Sequence, residues 1–126
     1  MTQDFEKIGP IASLANTKTV GGEVAFTYPE VIEVIHLCTA NEIAVLGVEV
    51  FLARDNEYFA SGCSTYDLRM HKWDKVQMHD WGNCVRENNL LAEDAVRKNP
   101  TGDDHIYVLT TSSWREFCKI QEMRQQ

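Results

Sequence analysis

The sequence predicts a single α+β domain, a small and mostly antiparallel sheet packed by helices. Three observations carry this. Residues 28–40 repeat apolar side chains at three- and four-residue spacing behind a capping signal. Residues 43–53 form a run that is apolar on both faces. Four polar residues, Arg54-Asp55-Asn56-Glu57, separate that run from a second strand pattern. With 126 residues, 44% of them hydrophobic, and no linker-like stretch, residues 1–126 are read as one unit with its own core.

The first helix, about 28–40, opens on Thr27 and Glu30, the Thr-x-x-Glu capping box. Pro29 falls in the first turn, where its missing N–H costs nothing. Val31, Val34, Ile35 and Cys38 then form one apolar face, and Asn41 tolerates the left-handed conformation that closes a helix. The strand at 43–53 alternates Ala44, Leu46, Val48, Val50 and Leu52 on one face with Ile43, Val45, Gly47, Glu49 and Phe51 on the other. Both faces are apolar apart from one carboxylate, so this is the expected central strand. The turn at 54–57 returns the chain into a hairpin strand at 58–66.

The flanks read less regularly. Residues 1–20 predict short helical turns on either side of Gly9-Pro10, and 20–26 a loop around Gly21-Gly22. That glycine pair is no phosphate cradle, because no Lys-Ser/Thr follows it. Residues 67–83 read as a loop in which Met-His-x-Trp occurs at Met70 and again at Met78. A second helix spans about 83–98, with Cys84, Val85, Leu91, Ala92, Ala95 and Val96 inward and Asn88-Asn89 as poor helix formers in its middle. Asn99-Pro100-Thr101-Gly102 breaks the pattern before a late strand at 105–111. Ser113 and Glu116 form a second capping box that opens a helix at 113–124, with Trp114, Phe117 and Cys118 inward.

Composition narrows the function classes. The net charge of −7 lies in residues 1–68, which hold 10 Asp/Glu against three Lys/Arg, while residues 69–126 hold nine of each. An acidic balance argues against binding nucleic acid or an anionic membrane by charge and suits steering toward a basic partner. The longest apolar run, Ile43–Val48, is far short of the ~20 residues of a membrane span. The polar, acidic start Met-Thr-Gln-Asp-Phe-Glu is unlike a signal peptide, which makes the cytoplasm the expected compartment. Cys38, Cys63, Cys84 and Cys118 show no Cys-x-x-Cys spacing and are read as small buried hydrophobes, not disulfides.

No catalytic motif is present. His71, Asp74, His79 and Asp80 are metal-competent residue types, but the two histidines are eight apart and lack a helical His-x-x-x-His or a Glu-x-x-His spacing. Glu49 would need His36, His105 or a second carboxylate to converge on it for acid–base work. Ser61-Gly62-Cys63-Ser64 is no nucleophile elbow. No metal or cofactor is expected, and the protein is read as a non-enzyme. The tryptophan-bearing acidic loop has instead the composition of a protein interface.

The run Ile43-Ala-Val-Leu-Gly47, followed by Val50-Phe51 after the helix, resembles the small immunity proteins of bacterial polymorphic-toxin systems, in particular the family known as immunity protein forty. That family pairs a helix and an Ile-x-Ile-Leu-Gly-Gly-x-Val-Tyr segment with a hairpin, an aromatic loop, a helix and a late strand. Here Val48 stands at the second glycine and Phe51 at the tyrosine; Tyr66 and Trp73 answer to the loop aromatics and Tyr107-Val108-Leu109 to the late strand. The resemblance implies a protein that binds and neutralises a cognate toxin domain, such as a basic nuclease, inside the producing cell. The expected contact residues are Glu49, Asp55, Glu57, Asp67, Trp73, Asp74, Asp80 and Trp81. Two alternatives stay open: a small-ligand or metal-binding domain with a pocket between the hairpin and the helix at 28–40, and a metal-dependent hydrolase using His71, Asp74 and His79.

Overall fold

The computed structural model describes residues 19–20, 23–28, 30–55, 57–60, 76–98 and 105–124. The expected turns around Gly9-Pro10, Pro29, the far half of the strand at 58–66, and most of the loop at 67–83 lie outside these residues. Along the chain the order is β1 (Thr19–Val20), β2 (Glu23–Phe26), α1 (Glu30–Ala40), β3 (Ala44–Arg54), β4 (Glu57–Ala60), α2 (Met78–Lys98), β5 (His105–Ser112) and α3 (Trp114–Arg124). The strands form one sheet in the order β1-β2-β5-β3-β4, every neighbouring pair antiparallel. The α+β architecture follows the sequence reading. β3 is an interior strand as expected, and β5 holds the middle of the five. The expected loop at 20–26 is corrected: Thr19–Val20 and Glu23–Phe26 pair with each other, and β2 pairs on with β5.

Helix ends follow from local chemistry. At the start of α1 the capping box forms in half: the Thr27 N–H and hydroxyl both donate to Glu30 Oε1, at 3.1 and 2.5 Å. At its end, Ile43 N–H donates to the Cys38 carbonyl at 2.8 Å and Glu42 N–H to the Thr39 carbonyl at 3.1 Å, the paired bonds of a Schellman motif. The left-handed residue is Glu42, with φ 56°, and not Asn41; Asn41 instead donates its side-chain amide to the Leu37 carbonyl at 2.8 Å. At α3 the Ser113 hydroxyl accepts from Glu116 N–H at 3.2 Å, as a cap should.

One irregularity governs which side chains meet. Val45 lies opposite Thr111 and Gly47 opposite Thr110, so Leu46 has no counterpart and forms a β-bulge. Strict alternation through 43–53 is therefore overturned, because one extra residue swaps the faces. Ile43, Val45, Val48 and Val50 share one core with Phe26, Tyr107, Leu109, the α1 residues Val31, Val34, Ile35 and Cys38, and Ala92 and Val96 of α2. Ala44 and Leu46 pack instead with Trp81, Val85 and Phe117. Past the bulge, Gly47, Glu49 and Phe51 share the second face with Val108 and Ile106, which are buried together with Ala25.

Among the described residues, the flank of β3 away from β5 is paired with β4 from Phe51 to Arg54. Before that, helix α2 takes the place of a strand. Asn89 Oδ1 accepts from Val45 N–H at 2.8 Å, and Asn88 Nδ2 donates to the Val45 carbonyl at 2.7 Å. Asn89 Nδ2 donates to the Ile43 carbonyl at 2.9 Å and to Thr39 Oγ1 at 3.0 Å. Each residue of an antiparallel strand sends its N–H and C=O to the same side, so these amides take up the ladder groups of Val45 and Ile43 where no described strand pairs with them. Among the described residues, no helix is long and apolar enough to cross a membrane.

Candidate functional site

The β3–β4 hairpin carries the expected acidic residues outward. Arg54 pairs with Glu57 to close the turn, and Asp55 has φ 51°, the left-handed conformation that tight hairpin turns demand. Asp55, in the turn, and Glu57, on the last described strand in the sheet order, are exposed at this tip. Glu49 is exposed too, but the register puts it on the second face, opposite Val108. Glu57 lies opposite Arg54, whose alternation with Val50 and Leu52 places it on the first face. At ~3.3 Å per residue, Glu49 and Asp55 are separated by about 20 Å along β3. The structure thus joins Asp55 and Glu57 and leaves Glu49 apart. His105 stands opposite Leu52 on the first face and His36 pairs with Glu93, so neither histidine converges on Glu49.

The tryptophan loop is revised most. The second helix begins at Met78, not at 83, so His79, Asp80 and Trp81 lie in its first turn. His79 Nε2 is 3.3 Å from Asp80 Oδ2. Trp81 is 2% exposed and cannot be a contact residue. Its indole donates to the Glu42 carbonyl at 2.7 Å, and its ring lies 5.4 Å from Trp114 and 5.2 Å from Phe117. Burial of so large a ring, with its N–H satisfied, is the better solution than display. Asp67, Trp73 and Asp74, with His71, lie outside the described residues. Among the described residues, no three His, Cys, Asp or Glu side chains are placed to share a metal ion.

Two elements make a concavity that the sequence reading did not locate. A cleft of about 310 Å³ lies between α1 and α2; the far half of the hairpin, which would line the expected pocket, lies outside the described residues. Ile35, Ala40 and Leu90 supply the cleft's apolar lining, and His36, Arg86 and Glu93 its polar rim. His36 Nε2 bonds Glu93 Oε1, and Arg97 Nε lies 3.4 Å from Glu93 Oε2, so one carboxylate ties α1 to α2. The nearby hydroxyl of Thr39 donates to the Ile35 carbonyl and accepts from the Asn89 side-chain amide, so it is engaged away from the His36–Glu93 pair. The arrangement fastens two helices; it is not a nucleophile with its base.

The cysteines are unbridged where they are described: Cys38 buried, Cys84 and Cys118 partly buried. Burial pushes the Cys38 thiol up to about 12, the mark of an inert core residue. Cys84 is also raised, by burial and then by the neighbouring Asp80 and Glu87 carboxylates.

The fold and site together define a small α+β domain that presents an acidic hairpin and an interhelical cleft. Compared with family models, curated proteins and solved structures, the chain gives no match.

Proposed function

We propose that the protein is a non-catalytic immunity protein that binds and neutralises a cognate bacterial toxin domain in the cell that produces both. The observation that carries this reading is the exposed acidic tip formed by Asp55, in the turn, and Glu57, on the last described strand of the sheet. It stands in the half of the chain that holds the whole net charge of −7. The likeness of Ile43–Phe51 to the immunity-protein segment supports it, since that segment forms the strand that bears the hairpin. An acidic surface offers a basic nuclease both a phosphate-like target and a faster encounter. Among the described residues the contact set is Asp55 and Glu57, with Glu49 and Asp80 as outlying charges; Asp67, Trp73 and Asp74, which lie outside those residues, stay in it, and Trp81 is withdrawn because it is core.

The test begins with capture of the tagged full chain from its native host, followed by mass spectrometry. A stoichiometric partner with a basic toxic domain is expected, and co-expression should rescue cells from that domain. Lysine at Asp55 and Glu57 together should weaken the complex by at least ~100-fold, because charge reversal leaves like charges facing one another. The melting temperature should stay put, since both side chains are exposed. A native mass showing the chain alone with a bound small molecule or metal would overturn the proposal in favour of a ligand-binding domain. So would a captured partner whose toxicity the protein does not suppress.

A further inference from the structure

Helix α2 carries an outward stripe that is complementary to itself. Asn83, Arg86, Leu90, Asp94 and Arg97 are all exposed, and helical geometry puts them within a sector of about 80°. Leu90 is the centre of this stripe and is 61% exposed beside the α1–α2 cleft whose wall it helps to form. Arg86 and Asp94 lie one helical step of four residues on either side of it, roughly 6 Å away along the axis. If a second α2 crosses antiparallel with Leu90 at the twofold axis, Arg86 meets Asp94 of the other copy, and Asp94 meets Arg86. Asn83 meets Arg97 in the same way.

We infer that α2 is the interface of a twofold homodimer, in which Leu90 of each copy seats against the α1–α2 cleft of the other. Three features favour a second copy over an unrelated protein. The apolar knob and the apolar cleft are adjacent on one surface, as a self-complementary interface requires. The charges flanking the knob are of opposite sign and equidistant from it, so the twofold operation pairs them favourably twice. Glu93, the acid that would otherwise meet Glu87 of the other copy, is already held by His36 and Arg97. Arg86 also has Asn83 at 2.9 Å and Asp94 has Lys98 at 2.8 Å on their own helix, so the contacts across the axis extend these exposed pairs. The surface is distinct from the acidic hairpin, so the inference does not rest on the toxin reading.

A single helix pair with its cleft belongs at the small end of interfaces, so dissociation constants of about 1–100 µM are expected. Sedimentation equilibrium on the full chain, run up to ~0.5 mM, should show a monomer–dimer equilibrium. Leu90→Glu should raise the dissociation constant at least tenfold. Arg86→Asp and Asp94→Arg should each do the same singly, by setting like charges opposite one another. The double variant R86D/D94R should recover dimerisation to within about threefold of the original, because the swapped charges pair again across the axis. Circular dichroism melts of the same samples separate loss of dimer from loss of fold. A wild-type chain that is monomeric throughout the range overturns the inference. So does a dimer that Leu90→Glu leaves intact, or a double variant no better than the singles. If a captured partner protein, and not a second copy, depends on Leu90 while the chain alone stays monomeric, the cleft belongs to that partner and the homodimer is refuted.

Discussion

Replacing Asn89 with alanine should destabilise the protein more than any other polar substitution on α2. The side chain is 1% exposed and satisfies the Val45 N–H, the Ile43 carbonyl and the Thr39 hydroxyl. Alanine leaves the first two as buried, unsatisfied backbone groups at ~1–3 kcal/mol each, so the sum is about 2–6 kcal/mol. The Asn88 side chain is the built-in control. It donates to the Val45 carbonyl, but its own Oδ1 is buried without a partner, so alanine there removes one orphan as it creates another. A cost of about 1–2 kcal/mol is expected for Asn88→Ala. Urea unfolding followed by circular dichroism gives both numbers, provided the slope is unchanged between variants. In a chain of this size Asn89→Ala should lower the melting temperature by roughly 10 °C or more. If Asn88→Ala costs as much as Asn89→Ala, or if Asn89→Ala falls within ~0.5 kcal/mol of wild type, the amides are not completing the β3 ladder.

Three further outcomes test the neighbourhood of Glu42 and the core thiol. A methyl group at Gly82 would sit 2.9 Å from Glu42 Oε1 and 3.7 Å from its Cδ, the far end of an exposed side chain that can swing aside. Gly82→Ala should therefore gain most of the ~1 kcal/mol of helix propensity, raising the urea midpoint; a drop in the midpoint would show that Glu42 is pinned. Cys38 ionises near 9.0 when unfolded but only at about 12 in the fold, so the unfolded chain loses its proton first. Its contribution is then complete below that unfolded value and is lost as pH rises toward the folded one, and the stability gap between wild type and Cys38→Ala should narrow from about pH 9 upward. Native Cys38 should also resist iodoacetamide until urea unfolds the chain, and rapid labelling of the native protein would refute its burial.

Much of this architecture was legible because it rests on periodicity. Val31, Val34, Ile35 and Cys38 marked α1, and the β-formers of His105–Thr111 marked β5. The first hairpin was missed although its signal was present: Gly21-Gly22 stands as a two-residue spacer between Thr19-Val20 and Val24-Ala25-Phe26. The start of α2 was missed because Met78-His79-Asp80-Trp81 repeats the Met-His-x-Trp of the preceding loop and Gly82-Asn83 reads as a turn. Trp81, Val85, Asn88, Asn89, Ala92 and Val96 do recur at helical spacing, but propensity ranks asparagine as a breaker, and only its partners on β3 explain its place. The bulge could not be read at all. When both faces of a strand are apolar, a one-residue shift leaves no mark in the pattern, and Gly47 was the sole hint. The acidic site was half legible for the same reason, since the face of Glu49 depends on where the bulge falls.

The amide pair on α2 also decides what happens when the chain is damaged. The stretch Val45-Leu46-Gly47-Val48-Glu49-Val50 contains no proline and a single charge, a composition suited to templated strand stacking. While α2 is docked, the Val45 backbone cannot recruit another chain. An event that loosens α2 without melting the sheet frees the Val45 end of this stretch to pair with another chain, so variants at Asn88 and Asn89 should be found in the insoluble fraction before they are found unfolded.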